Sequence, residues 1–383
     1  MNILFFFANA IIKSSGGVEN VTAFWYDYFR EHGHNVYIIY WRNNSSNLPV
    51  IPQIGLPDKK KCNSSENIYF FHNFINDNSI DIVINQSGLN NRTSSICTEG
   101  CKNSPAKLIS VIHNTPFYFI KSKPLLAKID RIWLIGNIFR RIFSYINKNL
   151  YKYNGNYQYI NSDAVVVLSP NYKKEYALLN IKKEKSEVVS IPNPLTLKIA
   201  VQDKQKENIA LFVGRLTHAK GLDRLLQSWE KIYNKIPTWK LYIVGDGPLR
   251  PILQQKILKK GIKNVIFTGN TNPEPYYVKA KLFCMTSRYE GFPMTLIECQ
   301  FYGVVPIIMN SYAAAPDIVK DKYNGIITTE SVKEYSTKLY ELMLNDDLIL
   351  YLSGNCLREV ESYSPKVIFN KYEALFKSIT NKN

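Results

Sequence analysis

Short runs of β-branched and aromatic residues alternate along this chain with longer segments whose apolar positions recur at three- and four-residue steps. The first kind of run reads as strand and the second as amphipathic helix, so the alternation predicts βα units building mainly parallel sheets. In the first half strands are expected at 2–8, 35–41, 81–85, 107–112 and 163–168, with a helix at 18–31 that Gly33 ends. In the second half strands are expected at 208–213, 239–244, 264–268, 281–286 and 304–309. Between the halves, Ile191-Pro192-Asn193-Pro194 and a polar stretch up to Asn208 interrupt regular structure. The expected organisation is therefore an α/β domain over 1–196, a boundary near 195–206, and a second α/β domain over 206–364. The remainder, 365–383, reads as one helix with Ile368, Tyr372, Leu375, Phe376 and Ile379 on a face, able to pack on either domain.

Length agrees with two domains, since 383 residues exceed what one ordinary core holds. With 45% hydrophobic and 21% charged residues the composition is that of a soluble globular protein. No apolar run reaches the roughly 18 to 20 residues of a spanning helix. The opening Met1-Asn2-Ile3-Leu4-Phe5-Phe6-Phe7 lacks the basic start of a signal peptide and leads into a Gly-rich turn, so a buried first strand and a cytoplasmic location are expected. The six cysteines show no doublet of two-residue spacing. Cys97, Cys101, Cys62 and His72 make a zinc site conceivable, with reduced thiols as the simpler reading. The net charge of +17 implies an anionic partner: nucleic acid, anionic lipid or phosphorylated substrates. None of the standard RNA- or DNA-binding motifs is present, which sets nucleic acid aside.

Four segments narrow the choice. Ser287-Arg288-Tyr289-Glu290-Gly291-Phe292 follows an expected strand and runs into a helix, where backbone N–H groups suit phosphate oxygens. Glu290 and Glu298 fall about two helical turns apart, so that one can face a sugar while the other accepts ribose hydroxyls. Gly214-Arg215-Leu216-Thr217-His218-Ala219-Lys220-Gly221 ends the first strand of the second half. There the fork of Arg215 and the point charge of Lys220 suit a departing diphosphate. Gly245-Asp246-Gly247 is a further strand-to-helix turn, its glycines permitting close approach to a base or ribose. In the first half Gly16-Gly17 opens a helix suited to phosphate or sugar oxygens, and His113 follows a strand where it could bond a sugar hydroxyl or phosphate. Without a full GxGxxG pattern a nicotinamide cofactor is poorly supported. Each segment has a plain structural alternative as a turn, a helix boundary or a solvated charge; their order along one chain is what carries weight.

Together these segments resemble glycosyltransferase family 4, retaining enzymes of the two-domain GT-B fold. The resemblance rests on Gly16-Gly17 with Glu19, Gly214 through Lys220 and Gly221, Gly245-Asp246-Gly247, and the Glu290 to Glu298 spacing with its Glu-Gly-Phe. It implies two facing Rossmann-like domains with an interdomain cleft. It also implies a nucleotide-sugar donor held by Gly16, Gly17, Arg215, Lys220, Gly245, Gly291, Phe292 and Glu298, with Glu290 and His113 at the reacting sugar, no metal and no cofactor. The chain departs from the family at Ala313-Ala314-Ala315-Pro316-Asp317, where relatives often carry Gly-Gly-x-x-Glu, and at Pro192-Asn193-Pro194 in place of Pro-Asn-Gly.

One more stretch bears on the acceptor. Within 121–152 lie eight Lys or Arg, the single acid Asp130, and aromatics that include Trp133, Phe139 and Phe143, spaced as a cationic amphipathic helix. Such a face can lie on an anionic membrane surface, meet a lipid-linked diphosphate, or pack on the core with a solvated basic back. The expected function is transfer of a hexosyl residue from a UDP- or GDP-sugar to a glycan or lipid-linked glycan in surface polysaccharide assembly. A soluble acceptor, or a non-catalytic subunit supporting a partner enzyme, are the alternatives.

Overall fold

The computed structural model describes residues 1–12, 16–43, 51–88, 90–115, 157–177, 186–197 and 205–381. The basic stretch 121–152 lies outside them. The described residues form two compact units: the first takes in those up to Thr196 and those from Ile368 on, the second those from Leu197 to Val367.

The first unit is built on seven strands: β1 (Asn2–Asn9), β2 (Asn35–Arg42), β3 (Ile54–Gly55), β4 (Ile82–Asn85), β5 (Lys107–Ile112), β6 (Ala164–Val167) and β7 (Glu187–Ser190). They lie in the order β3-β2-β1-β4-β5-β6-β7, each neighbouring pair parallel. Parallel sheets bury both faces, which explains why β1 is a near-continuous apolar run from Ile3 to Phe7 with every one of those residues buried. The helix Gly17–Glu31 turns Val21, Trp25, Tyr26 and Phe29 inward, and Gly33 at φ 86° adopts the left-handed conformation just past its end.

The C-terminal helix Pro365–Thr380 buries the face its spacing predicts: Ile368, Tyr372, Leu375, Phe376 and Ile379. Its aromatic rings meet those of Gly17–Glu31, with Trp25 and Tyr372 edge-on at 5.5 Å and Phe29 at 5.3 Å from Phe369 and 5.8 Å from Phe376. Each large apolar side chain so buried contributes about 1.5–3 kcal/mol. That is enough to hold the chain's last helix on a unit begun more than 300 residues earlier.

The second unit has six strands: β8 (Glu207–Val213), β9 (Lys240–Val244), β10 (Val265–Gly269), β11 (Ala280–Met285), β12 (Val305–Met309) and β13 (Ile326–Thr328). Their order is β10-β9-β8-β11-β12-β13, again parallel throughout. Helix Leu222–Glu230 sets Leu222, Leu225, Leu226 and Trp229 against this sheet, and the Trp229 indole satisfies its N–H on the Lys263 carbonyl at 3.0 Å. Three strands lie outside those expected from the pattern. β3 spans two residues and β13 three, too few for alternation to register, and β7 is a partly exposed edge strand.

Candidate functional site

In the second sheet the chain runs outward one way from β8 and the other way from β11, so these adjacent strands form the topological switch point. Ligands of open parallel sheets gather at the carboxyl ends of the strands flanking such a point. The loop after β8 carries Arg215 and Lys220; the loop after β11 carries Ser287 and Glu290. The structure joins them. Lys220 Nζ donates to both oxygens of Glu290, at 2.7 and 2.9 Å, and the buried Ser287 hydroxyl donates to Glu290 Oε1 at 2.6 Å. The Glu290 side chain is 9% exposed and that of Lys220 25%, so a charge pair stands at the floor of the site with one member still reachable. Arg215, on the same loop as Lys220, is exposed and forms no ion pair among the described residues. Arg288 grips Asp223 with two nitrogens at 2.9 and 2.7 Å and donates to the His218 carbonyl, tying the two loops together from behind.

The glycines around these loops are demanded by backbone packing. Gly221 has φ 64°, and a Cβ there would lie 2.0 Å from the Thr286 carbonyl oxygen. Gly245, at φ 131°, would place one 2.1 Å from the Gly214 oxygen, and Gly247 one 2.6 Å from the Leu216 oxygen. At 245 glycine is required by the approach of one loop to another. Leu216 N–H donates to the Asp246 carbonyl at 2.9 Å and Leu249 N–H to the Leu216 carbonyl at 3.1 Å, which sets the 214–221 loop on the 245–249 turn. Gly291 is partly exposed at the start of the turn into helix Met294–Phe301. Phe292 is buried, its ring 5.9 Å from that of Tyr363, so it serves packing and can offer a donor only its main chain.

Glu298 lies on that helix, half-buried. Burial pushes its carboxyl above the usual carboxylate range, opposed by a bond from the Tyr277 hydroxyl to Oε2 at 3.0 Å. Nothing in the spacing of residues 274–279 pointed to Tyr277, which reads as one more aromatic in a short amphipathic helix.

The first unit repeats the topology, with its switch point between β1 and β4. Gly16 and Gly17 stand at the start of the helix that follows β1. Neither has positive φ, and a Cβ on Gly17 would meet nothing within 4 Å. The Glu19 carboxylate folds back over Gly16, 2.8 Å from where a Cβ would be. His113, after β5, donates from Nε2 to the side-chain oxygen of Gln86, after β4. Its Nδ1 is buried with no partner among the described residues, and burial lowers its pKa to about 3, so the ring is a neutral acceptor at physiological pH. Ser87 Oγ and both amide atoms of Asn91, at the same edge, are likewise buried and unpaired. Gln86, Ser87 and Asn91 carry no motif by which sequence reasoning could have found them.

Among the described residues no group of three or more His, Cys, Asp or Glu could hold a metal ion. Cys62 and Cys97 are buried in the first core, where desolvation pushes the Cys62 thiol up to about 12, and both ring nitrogens of His72 have neighbours on Gly100 and Asn76. These are packing thiols. Nor is any helix of the described residues long and apolar enough to cross a membrane.

Known proteins resemble this chain in sequence and in fold. Residues 196–355 match the family of glycosyl transferases group 1. Over 170 residues the chain is 31% identical to the amylovoran biosynthesis glycosyltransferase AmsD of Erwinia amylovora, covering 44% of this chain and 48% of that one. Over 145 residues it is 37% identical to an N-acetyl-D-galactosaminyltransferase of Campylobacter jejuni named for a diphospho-undecaprenol-linked glycan, covering 37% and 40%. The chain thus spans about half or less of the length of these two relatives. The fold is shared along the whole chain with the lipopolysaccharide outer core galactosyltransferase WaaB (TM-score 0.73, 19% identity, 99% and 100% covered). It is shared equally with Anabaena HepE in complex with UDP (TM-score 0.74, 14% identity, 99% and 100% covered). Residues 196–355 are thus similar to the group 1 glycosyl transferases, carried on a chain with the two parallel sheets of the GT-B fold.

Proposed function

We propose that this protein is a retaining glycosyltransferase of surface polysaccharide assembly that moves a hexosyl residue from a UDP- or GDP-sugar to a glycan or lipid-linked glycan. The observation that carries the reading is the Lys220–Glu290 pair spanning the switch point of the second sheet, with exposed Arg215 on the same loop. When the bond from the anomeric carbon to the diphosphate breaks, negative charge grows on the leaving oxygen. Lys220 and Arg215 stabilise it, because preorganised charges act without reorganising at the moment of reaction. Lys220 does so by sharing its proton donors between Glu290 and phosphate, and Glu290 holds the ammonium in place for that. Glu298 accepts the ribose hydroxyls, and neutral His113 accepts a hydrogen bond from a sugar hydroxyl at Nδ1. The family match and the names of the relatives, which concern amylovoran and a diphospho-undecaprenol-linked glycan, support the setting. The net charge of +17 and the basic stretch 121–152 support an acceptor presented at an anionic membrane surface.

The test is incubation of the purified chain with UDP- and GDP-hexoses and a membrane extract of lipid-linked glycans, followed by NMR of the product's anomeric carbon. The reading expects one nucleotide sugar to be consumed and an α-linked product from an α-linked donor. A β-linked product would refute retention, and consumption of none would refute transfer.

A further inference from the structure

Glu298 needs more than its own helix to hold a carboxylate in a half-buried place. Its neighbour Tyr277 is fully buried on helix Glu274–Lys279 and lies parallel to Tyr302, with ring centroids 5.6 Å apart and planes within 6°. Two further bonds clamp this stack. The Tyr302 hydroxyl donates to Glu274 Oε1 at 3.1 Å, and Lys206 Nζ, just before β8, donates to the main-chain carbonyls of Tyr277 at 3.0 Å and Tyr302 at 2.7 Å. The hydroxyl of Tyr277 is thereby fixed in place, and it donates to Glu298 Oε2 at 3.0 Å, while Oε1 has no hydrogen bond among the described residues.

We propose that Tyr277 is a positioning residue for the ribose of the donor: by occupying Oε2 it orients the Glu298 carboxylate and leaves Oε1 for a ribose hydroxyl. The proposal rests on the donor reading given above and extends it to a residue that does not touch the ligand. A phenolic donor suits the task, because it favours the charged carboxylate against the burial that opposes it. An ammonium group in its place would neutralise the carboxylate and compete for the same hydroxyls. Lys206, held by two carbonyls, serves the stack instead.

The experiment compares wild type and Tyr277→Phe, which keeps the ring and its stacking, in calorimetric titrations with UDP, GDP and the 2′,3′-dideoxy analogue of whichever binds. Wild type should prefer the ribonucleotide by about tenfold or more, the worth of a hydrogen bond to a charged group. In Tyr277→Phe that preference should shrink to about threefold or less, with affinity for the dideoxy analogue within about twofold of wild type. An equal loss for both nucleotides would make Tyr277 a merely structural residue and overturn the proposal; so would an undiminished preference. If neither UDP nor GDP binds wild type, the donor reading falls and takes this one with it. A second readout is the pH profile of ribonucleotide affinity between pH 5 and 7. Tyr277, Cys299 and Tyr302 stand by Glu298, and Glu274, Lys206 and Cys356 stand by those neighbours in turn. Of these Lys206 is lowered only to about 8 and Tyr302 raised to about 12, outside that window. Losing the Tyr277 hydroxyl should move the acid-side loss of affinity to higher pH, and an unmoved profile would count against the assignment.

Discussion

The two sheets share a topology and differ in how their carboxyl edges are finished. In the second unit the loops after β8, β9 and β11 lie backbone on backbone, with glycines at 221, 245 and 247 where any side chain would collide and a Lys220–Glu290 pair at the centre. In the first unit no such pair is formed at the corresponding edge among the described residues: His113, Ser87 and Asn91 keep buried polar atoms unpaired, and Gly17 has open space around it. Buried polar groups without partners are rare in native proteins, whereas a paired charge framework is self-sufficient. One edge is held together by its own charge pair and loop contacts. The other keeps hydrogen-bonding capacity unfilled among its described residues.

The sharpest break of this comparison is by glycine. Gly245→Ala and Gly221→Ala force a Cβ to about 2 Å from a carbonyl oxygen at positive φ and should each cost about 3 kcal/mol or more in denaturant unfolding. Gly17→Ala meets nothing and should change stability by less than about 0.5 kcal/mol. Equal effects at the two edges would erase the distinction.

Next in size is the charge pair. Lys220→Ala leaves the Glu290 carboxylate, 9% exposed, without its cation and should destabilise by up to about 3 kcal/mol. Lys220→Ala with Glu290→Ala should recover part of that loss, a coupling that a double-mutant cycle measures directly.

Glu298 and His113 give smaller effects of opposite sign with pH. The folded-state pKa of Glu298 is raised, so the native state binds more protons than the unfolded chain above the ordinary carboxyl value of 4.5, and stability falls as pH rises through that window. Glu298→Gln, whose amide oxygen can still accept from Tyr277, should therefore raise the Tm at pH 7 while weakening nucleotide binding. His113 is lowered to about 3 from 6.5, so the unfolded chain binds its proton first and stability is lost as pH falls from about 6.5 toward 3. His113→Gln should flatten that limb of a Tm-against-pH curve. The smallest change expected is at Asn91, whose amide has no bond to lose: Asn91→Ala should leave stability within about 0.5 kcal/mol.

What the chain discloses by pattern alone follows from the range of the interactions involved. The helix Gly17–Glu31 and the C-terminal helix are legible because their apolar faces repeat locally, and β1 because five consecutive apolar residues need two covered faces. The site loops are legible as strand-to-helix turns with Arg215, Lys220, Glu290 and Glu298. Their internal wiring is not. Lys220 and Glu290 are 70 residues apart, and no spacing rule joins them. A glycine that faces a ligand and one that faces a carbonyl, as Gly245 does, look alike in a sequence. Tyr277 is one of 26 tyrosines until the stack on Tyr302 and the bond to Glu298 single it out.

On the proposed function, the carboxyl edge of the second sheet takes a nucleoside diphosphate through Lys220. A thermal-shift panel of UDP, GDP and ADP with a chelator present, run on wild type and Lys220→Ala, tests it most directly, because a ligand that binds only the folded state raises the midpoint by mass action. A selective rise with UDP or GDP is expected in wild type, and Lys220→Ala, still folded, should lose it. No rise with any of the three at millimolar concentration, or a rise that Lys220→Ala retains in full, would contradict it.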